Sequence, residues 1–108
     1  MRRFATLRRQ ADFARLRRQG RRAPTKSLMV FGGDSLAGDA TSLIGITVSK
    51  SIGNAVVRNR VRRRLKAIAH EALAHHSTMR LLVIARPIAA QTEYAQLRAE
   101  VTSALSRV

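Results

Sequence analysis

The chain has 108 residues and a net charge of +15, from 21 Lys and Arg against 6 Asp and Glu, with no cysteine. That length holds one modest core, so a single domain over residues 1–108 is expected, and the charge selects for a polyanionic partner, either nucleic acid or an anionic membrane surface. A disulfide framework and a thiolate metal site are excluded; the apolar runs are too short to span a membrane and no apolar segment follows the basic start, so a cytoplasmic protein is expected.

Residues 1–8 are basic and expected to be loosely held. A short helix is expected over 9–19, with Phe13 and Leu16 spaced for one buried face and Gly20 as its C-terminal stop. Residues 2–26 carry ten cations and one acid, Asp12, which makes a basic zone of their own. Pro24 breaks any continuation, and residues 27–31, ending in Phe31, read as a strand. Residues 32–39 are rich in Gly and Asp and read as a turn. A second strand over 42–48 is expected to pair antiparallel with the first, Gly45 within it marking a bulge or a close backbone approach.

Residues 51–54 connect that strand to a helix over 55–75, with Asn54 as its N-cap. Residues 80–86 hold a continuous apolar run, which suits a strand buried on both faces; Pro87 ends it. A last helix over 92–106 turns Tyr94, Leu97, Val101, Ala104 and Leu105 to one side. The order α-β-β-α-β-α implies an α+β fold, an α/β sandwich on one small mixed sheet.

The stretch that carries most information is 49–66, S-K-S-I-G-N-A-V-V-R-N-R-V-R-R-R-L-K. Six of the nine residues over 58–66 are cationic and none is acidic. At about 100° per residue, Val57, Val61, Leu65, Ile68 and Ala72 share one face of a helix, with Asn59, Arg63 and Lys66 roughly opposite. Arg58 and Arg62 flank one side of the apolar stripe, Arg60 and Arg64 the other. Three like-charge pairs at i,i+4 (Arg58–Arg62, Arg60–Arg64, Arg62–Lys66) each cost a few tenths of a kcal/mol with no acid to relieve them. A solvated face mixes signs; this one is built for phosphate. Its apolar side of Val, Leu, Ile and Ala suits packing on a sheet better than insertion in a membrane surface.

Nothing in the chain reads as a catalytic centre. The acids are scattered, and Asp34 and Asp39 sit in a turn where Asp is commonplace. His70 and His75 are separated by five residues, about 140° around a helix, so they do not share a metal as an i,i+4 pair does. The glycines match no nucleotide-binding fingerprint. Phe13 and Phe31 are core residues by default, and the other reading is that they line a groove where unpaired bases stack. Residue by residue, three readings remain: an RNA-binding module, a DNA-binding protein using helix 55–75 in the major groove, and a protein-only nuclease, which the scattered acids and histidines disfavour.

Ile46-Thr47-Val48-Ser49-Lys50, then Gly53-Asn54-Ala55-Val56, then Arg58-Asn59-Arg60, Arg62-Arg63 and Leu65 resemble the signature of the bacterial ribonuclease P protein subunit. The resemblance covers nearly the whole chain, including Asp12-Phe13, the strand ending in Phe31 and Ala85-Arg86-Pro87. It implies the protein partner of a catalytic RNA that removes the 5′ leader from precursor tRNA, with the chemistry carried by the RNA and its Mg²⁺. It implies that Asn54, Arg58, Asn59, Arg60, Arg62, Arg63, Arg64 and Lys66 lie against that RNA. Phe13, Arg17, Leu28, Phe31, Ser49 and Lys50 are the implied leader-binding residues, no residue being catalytic or bound to metal in the protein itself. It further implies a monomer in a 1:1 ribonucleoprotein and a left-handed crossover between parallel strands, an exception to the usual hand. Arg17 and Leu28 stand where relatives often carry an aromatic residue, and Ser51 where a Lys is frequent, which implies a cleft with less stacking surface.

Overall fold

The most apolar strand takes the middle of the sheet. In the computed structural model, which describes residues 4–108, five strands run in the order β1 (Ala5–Thr6), β4 (Leu43–Thr47), β5 (Met79–Ala85), β3 (Leu28–Asp34), β2 (Arg21–Pro24). β5 is parallel to β4 and antiparallel to β3; β1 is parallel to β4 and β2 antiparallel to β3. The helices are α1 (Gln10–Gln19), α2 (Ala55–Leu73) and α3 (Tyr94–Leu105), with 3₁₀ turns at Lys50–Ile52 and Pro87–Gln91.

Strand alternation sorts the core into two layers. Leu28, Val30, Ile44, Leu81 and Val83 face α2 and α3, and join Leu65 and Leu97 in the larger cluster. Phe31 and Leu82 face the other way, toward α1, and pack with Leu7 and Leu16. Within α2, Val61, Leu65, Ile68 and Leu73 are fully buried. Each contributes about 2 kcal/mol, against a few tenths for each like-charge pair on the outer face. Packing therefore holds the helix in spite of its charge.

Four expectations need correction. The strand over 42–48 does not pair with the one over 27–31, because β5 lies between β4 and β3. A strand apolar on both sides is best covered at the centre, and the segment after β3 crosses the start of β5, held there by Asp39 against Arg80. Gly32 and Gly33 belong to β3 rather than to a turn. A Cβ at Gly33 would come within 2.8 Å of the Leu16 side chain and one at Gly32 within 2.6 Å of Val108, so these positions are bare where neighbours press closest. Residues 5–7 are not loose: Ala5 and Thr6 pair with β4 and Leu7 is buried, while residues 1–3 lie outside the described residues. The segment 21–24, for which only a break at Pro24 is expected, is an edge strand, with exposed Arg21, Arg22 and Pro24 along it, residue types that discourage further pairing at an edge. The helix ends differ by one or two residues from those expected; the last helix starts later because Pro87–Gln91 forms its own 3₁₀ turn.

Glu100 ties α3 to the turn before β3. It is 6% exposed and accepts hydrogen bonds from Ser27 N–H (2.8 Å), Ser27 Oγ (2.9 Å), Thr25 Oγ1 (2.6 Å) and Gln96 Nε2 (3.0 Å). Burial pushes its carboxyl up, and the hydrogen bonds outweigh that and hold it below its ordinary value.

Candidate nucleic-acid interface

The entry to α2 is built from local chemistry. Gly53 sits at φ 154°, a conformation open to glycine, and Asn54 Oδ1 accepts from Val57 N–H at 3.0 Å as the expected N-cap. Beyond it the cations divide as the periodicity dictates. Arg62, Arg63 and Lys66 are exposed with Asn59, and Arg58, Arg60 and Arg64 are half-buried beside the apolar stripe. Arg62 Nη1 donates to Asn59 Oδ1 at 2.8 Å, and Arg60 Nη2 donates to the Ala90 carbonyl at 3.3 Å. Asn59 thus orients a guanidinium, and Arg60 is partly tied to the 3₁₀ turn after β5.

On the opposite face of the sheet α1 lies across the strands. A Cβ at Gly45 would come within 2.9 Å of the Phe13 ring, so Gly45 marks a close approach rather than a bulge, and the β4–β5 register runs through it unbroken. Beside α1 opens a groove of about 380 Å³ lined by Gln10, Phe13, Arg17, Ile46, Thr47 and Val48. Thr47 is in register with Ile84, and Ile84 with Met29. These three half-buried residues share the α1 face of the sheet, so Ile84 and Met29 continue that face sideways from Thr47 in the groove. At the end of β4, Ser49 and Lys50 are exposed, Ser49 Oγ lying 2.7 Å from Ser51 Oγ.

The structure thus brings Phe13 and Arg17 together on the groove, with Ser49 and Lys50 just past Val48. Phe31 is 7% exposed and lies beneath α1 as packing. Leu28 does not belong with them: it is 0% exposed, in the core layer facing α2 and α3. Three positions separate Leu28 from Phe31, so a strand points them to opposite faces. The same parity names the residues that sequence reasoning missed, Met29 two before Phe31 and Ile84 two after Leu82.

The acids do little to neutralise these surfaces. Arg80 Nε and Nη2 donate to the two carboxylate oxygens of Asp39 at 2.9 and 3.0 Å, and Nη1 donates to Asp12 Oδ1 at 3.0 Å. The Arg80 hydrogen bonds, aided by Leu36 N–H, hold the Asp39 carboxyl down to about 2. Asp34 pairs with Arg21 and Glu71 with Arg98. His70 lies against the Phe4 ring, centroids 4.8 Å apart, and burial, aided by Lys66, lowers its pKa. Among the described residues no three His, Asp or Glu side chains gather as metal ligands, and no helix is long and apolar enough to cross a membrane.

A family model described as Ribonuclease P matches residues 1–108. The ribonuclease P protein component of Thermobifida fusca is 41% identical over 109 residues, a match spanning 94% of this chain and 74% of that one. That of Acidothermus cellulolyticus is 38% identical, spanning 94% and 86%. The solved structure of the Staphylococcus aureus RNase P protein superposes with a TM-score of 0.82 at 26% identity, covering 94% of this chain and 92% of that one. The Thermotoga maritima RNase P protein, solved in complex with 1-(4-fluorophenyl)-2-thiourea, shares the fold with a TM-score of 0.81 at 21% identity, covering 94% and 98%.

Proposed function

The chain belongs to the ribonuclease P protein family, and on that premise we propose how its two surfaces serve tRNA processing: α2 lies against the catalytic RNA, and the groove beside α1 holds the single-stranded 5′ leader of precursor tRNA. Membership makes it a component of an endoribonuclease complex whose partners are an RNA subunit and precursor tRNA. The observation that carries the division of labour is the placement of the surfaces. The guanidinium face of α2 and the groove lie on opposite sides of one sheet, joined at Ser49–Asn54.

The groups fit two kinds of contact. Exposed Arg62, Arg63 and Lys66, flanked by Arg58, Arg60 and Arg64, suit phosphates of a structured RNA, Arg binding them bidentately. Phe13 and Arg17 offer a stacking face and a phosphate contact beside the sheet face of Thr47, Ile84 and Met29, which suits an unpaired strand. Ser49 and Lys50 extend it. Phe31 belongs to the buried cluster against which Phe13 packs, and Leu28, in the other core layer, takes no part.

On this reading the chemistry belongs to the RNA subunit, where bound Mg²⁺ would supply water activation and charge stabilisation. The donors of this chain do not fit a Mg²⁺ site of their own: among the described residues no three gather as ligands, and five of the six acids are paired, Asp12 and Asp39 with Arg80, Asp34 with Arg21, Glu71 with Arg98 and Glu100 with the Ser27 turn, Glu93 being the sixth. The protein contributes positioning of the leader and screening between two polyanions, as a monomer in a cytoplasmic 1:1 ribonucleoprotein.

The test is cleavage of a precursor tRNA by a bacterial ribonuclease P RNA at low and high Mg²⁺, with and without this protein. The expected result is rescue at low Mg²⁺ and no cleavage by protein alone. Tight RNA binding without rescue would identify a general RNA-binding module instead. Cleavage by the protein alone would overturn the assignment of chemistry to the RNA.

A further inference from the structure

We propose that Arg80 and Asp12 form a positioning clamp that sets the roll of α1, and through it the placement of Phe13 and Arg17 on the groove. The inference rests on the leader-binding reading of that groove. Strand alternation puts Arg80 on the α1 face of β5, in register with Gly33 on one side and Leu43 on the other. Its side chain is 11% exposed, and it has two anchors from outside the sheet. Asp39, in the segment between β3 and β4, holds it with two hydrogen bonds; Asp12, in the first turns of α1, takes the third at 3.0 Å.

The arrangement is directional. Asp12 and Leu16 are i,i+4 on one side of α1, while Phe13 and Arg17 are i,i+4 on the adjacent side, about 100° around the axis. The first pair faces Arg80 and Gly33; the second faces Gly45 and Thr47. Leu16 and Phe13 sit over Gly33 and Gly45, and the other side chains of the layer they pack in, Leu7, Phe31 and Leu82, are all apolar. Apolar contact of this kind is non-directional, whereas a guanidinium–carboxylate contact has fixed geometry. The Asp12 contact is therefore what distinguishes the roll that presents Phe13 and Arg17 to the groove from neighbouring ones. Because Asp39 already neutralises Arg80, removing Asp12 does not strand a buried charge, so α1 stays docked but loses its register.

The experiment uses the reconstituted holoenzyme and compares Asp12→Ala, Phe13→Ala and the double variant. The readout is leader discrimination, the ratio of affinities for precursor tRNA and mature tRNA, beside affinity for the RNA subunit and the thermal melt of the free protein. Phe13→Ala is expected to lower discrimination about tenfold, the loss of one base stack. Asp12→Ala is expected to lower it about fivefold with RNA-subunit affinity unchanged, and to add clearly less in the Phe13→Ala background than in wild type, since its effect passes through the placement of Phe13 and Arg17. Additive effects, or equal losses for precursor and mature tRNA, overturn the clamp. If Phe13→Ala leaves discrimination intact, the groove reading itself fails; if Phe13→Ala loses it and Asp12→Ala does not, the clamp alone fails. Arg80→Lys, which keeps charge but loses the fork, is expected to fall with Asp12→Ala; wild-type discrimination there also overturns the proposal.

Discussion

Replacing Arg62, Arg63 and Lys66 together with alanine tests the α2 interface most directly. All three are exposed on the outer face of the helix, away from the buried stripe of Val61, Leu65 and Ile68. Their loss removes no core contact and relieves two like-charge i,i+4 pairs, each worth a few tenths of a kcal/mol, so the melting temperature should stay level or rise slightly. Each lost phosphate contact should lower the slope of log affinity against log salt by about 0.7–0.9. Three contacts then remove about two to three units of slope. With counterion release contributing nothing near 1 M salt, the affinity for the RNA subunit falls roughly 100- to 500-fold at about 0.1 M. The assay is a binding titration repeated over a range of monovalent salt at fixed Mg²⁺, with Arg98→Ala, whose exposed partner is Glu71, as control. A large loss of affinity with an unchanged slope would show that these side chains do not contact phosphates. No loss at all would place the interface elsewhere on the molecule.

Three further outcomes follow from the packing and the buried charges. Glu100→Ala leaves the Ser27 N–H without an acceptor and takes one from the Ser27 and Thr25 hydroxyls, which keep Thr92 and the Leu28 carbonyl as partners; it should cost about 2 kcal/mol, lowering the melting temperature by about 8 °C or more, and a drop of less than about 3 °C would falsify the role given to this network. Asp39 has a folded-state pKa of about 2 against an ordinary 3.8, so its contribution is complete above the ordinary value and is lost as pH falls toward 2; urea midpoints of wild type and Asp39→Asn should differ at neutral pH and converge in acid. Gly45→Ala places a methyl group within 2.9 Å of the Phe13 ring and should cost about 1–2 kcal/mol by overpacking, together with leader discrimination, read from urea melts and from the affinity ratio of precursor to mature tRNA.

The sequence by itself determined the parts whose causes are local. The cap at Asn54, the buried stripe of α2 and its cationic outer face all follow from side chains within a few turns of one another, and each is in place. The apolar run of β5 fixed its burial on both faces in the same way. Parity along β3 would also have separated Leu28 from Phe31, since alternation is a property of any strand. Tertiary structure alone decided the rest. β1 has two residues and β2 four, neither with an apolar pattern of its own, and both are strands because a neighbour offers them a ladder. The insertion of β5 between β3 and β4 depends on residues far apart in the chain, among them Arg80 and Asp39. The groove exists because α1 settles on two bare glycine positions, Gly33 and Gly45, contributed by different strands. Local patterns fix which residues are helix or strand and which way they face; which faces meet is a long-range choice made by the whole core at once.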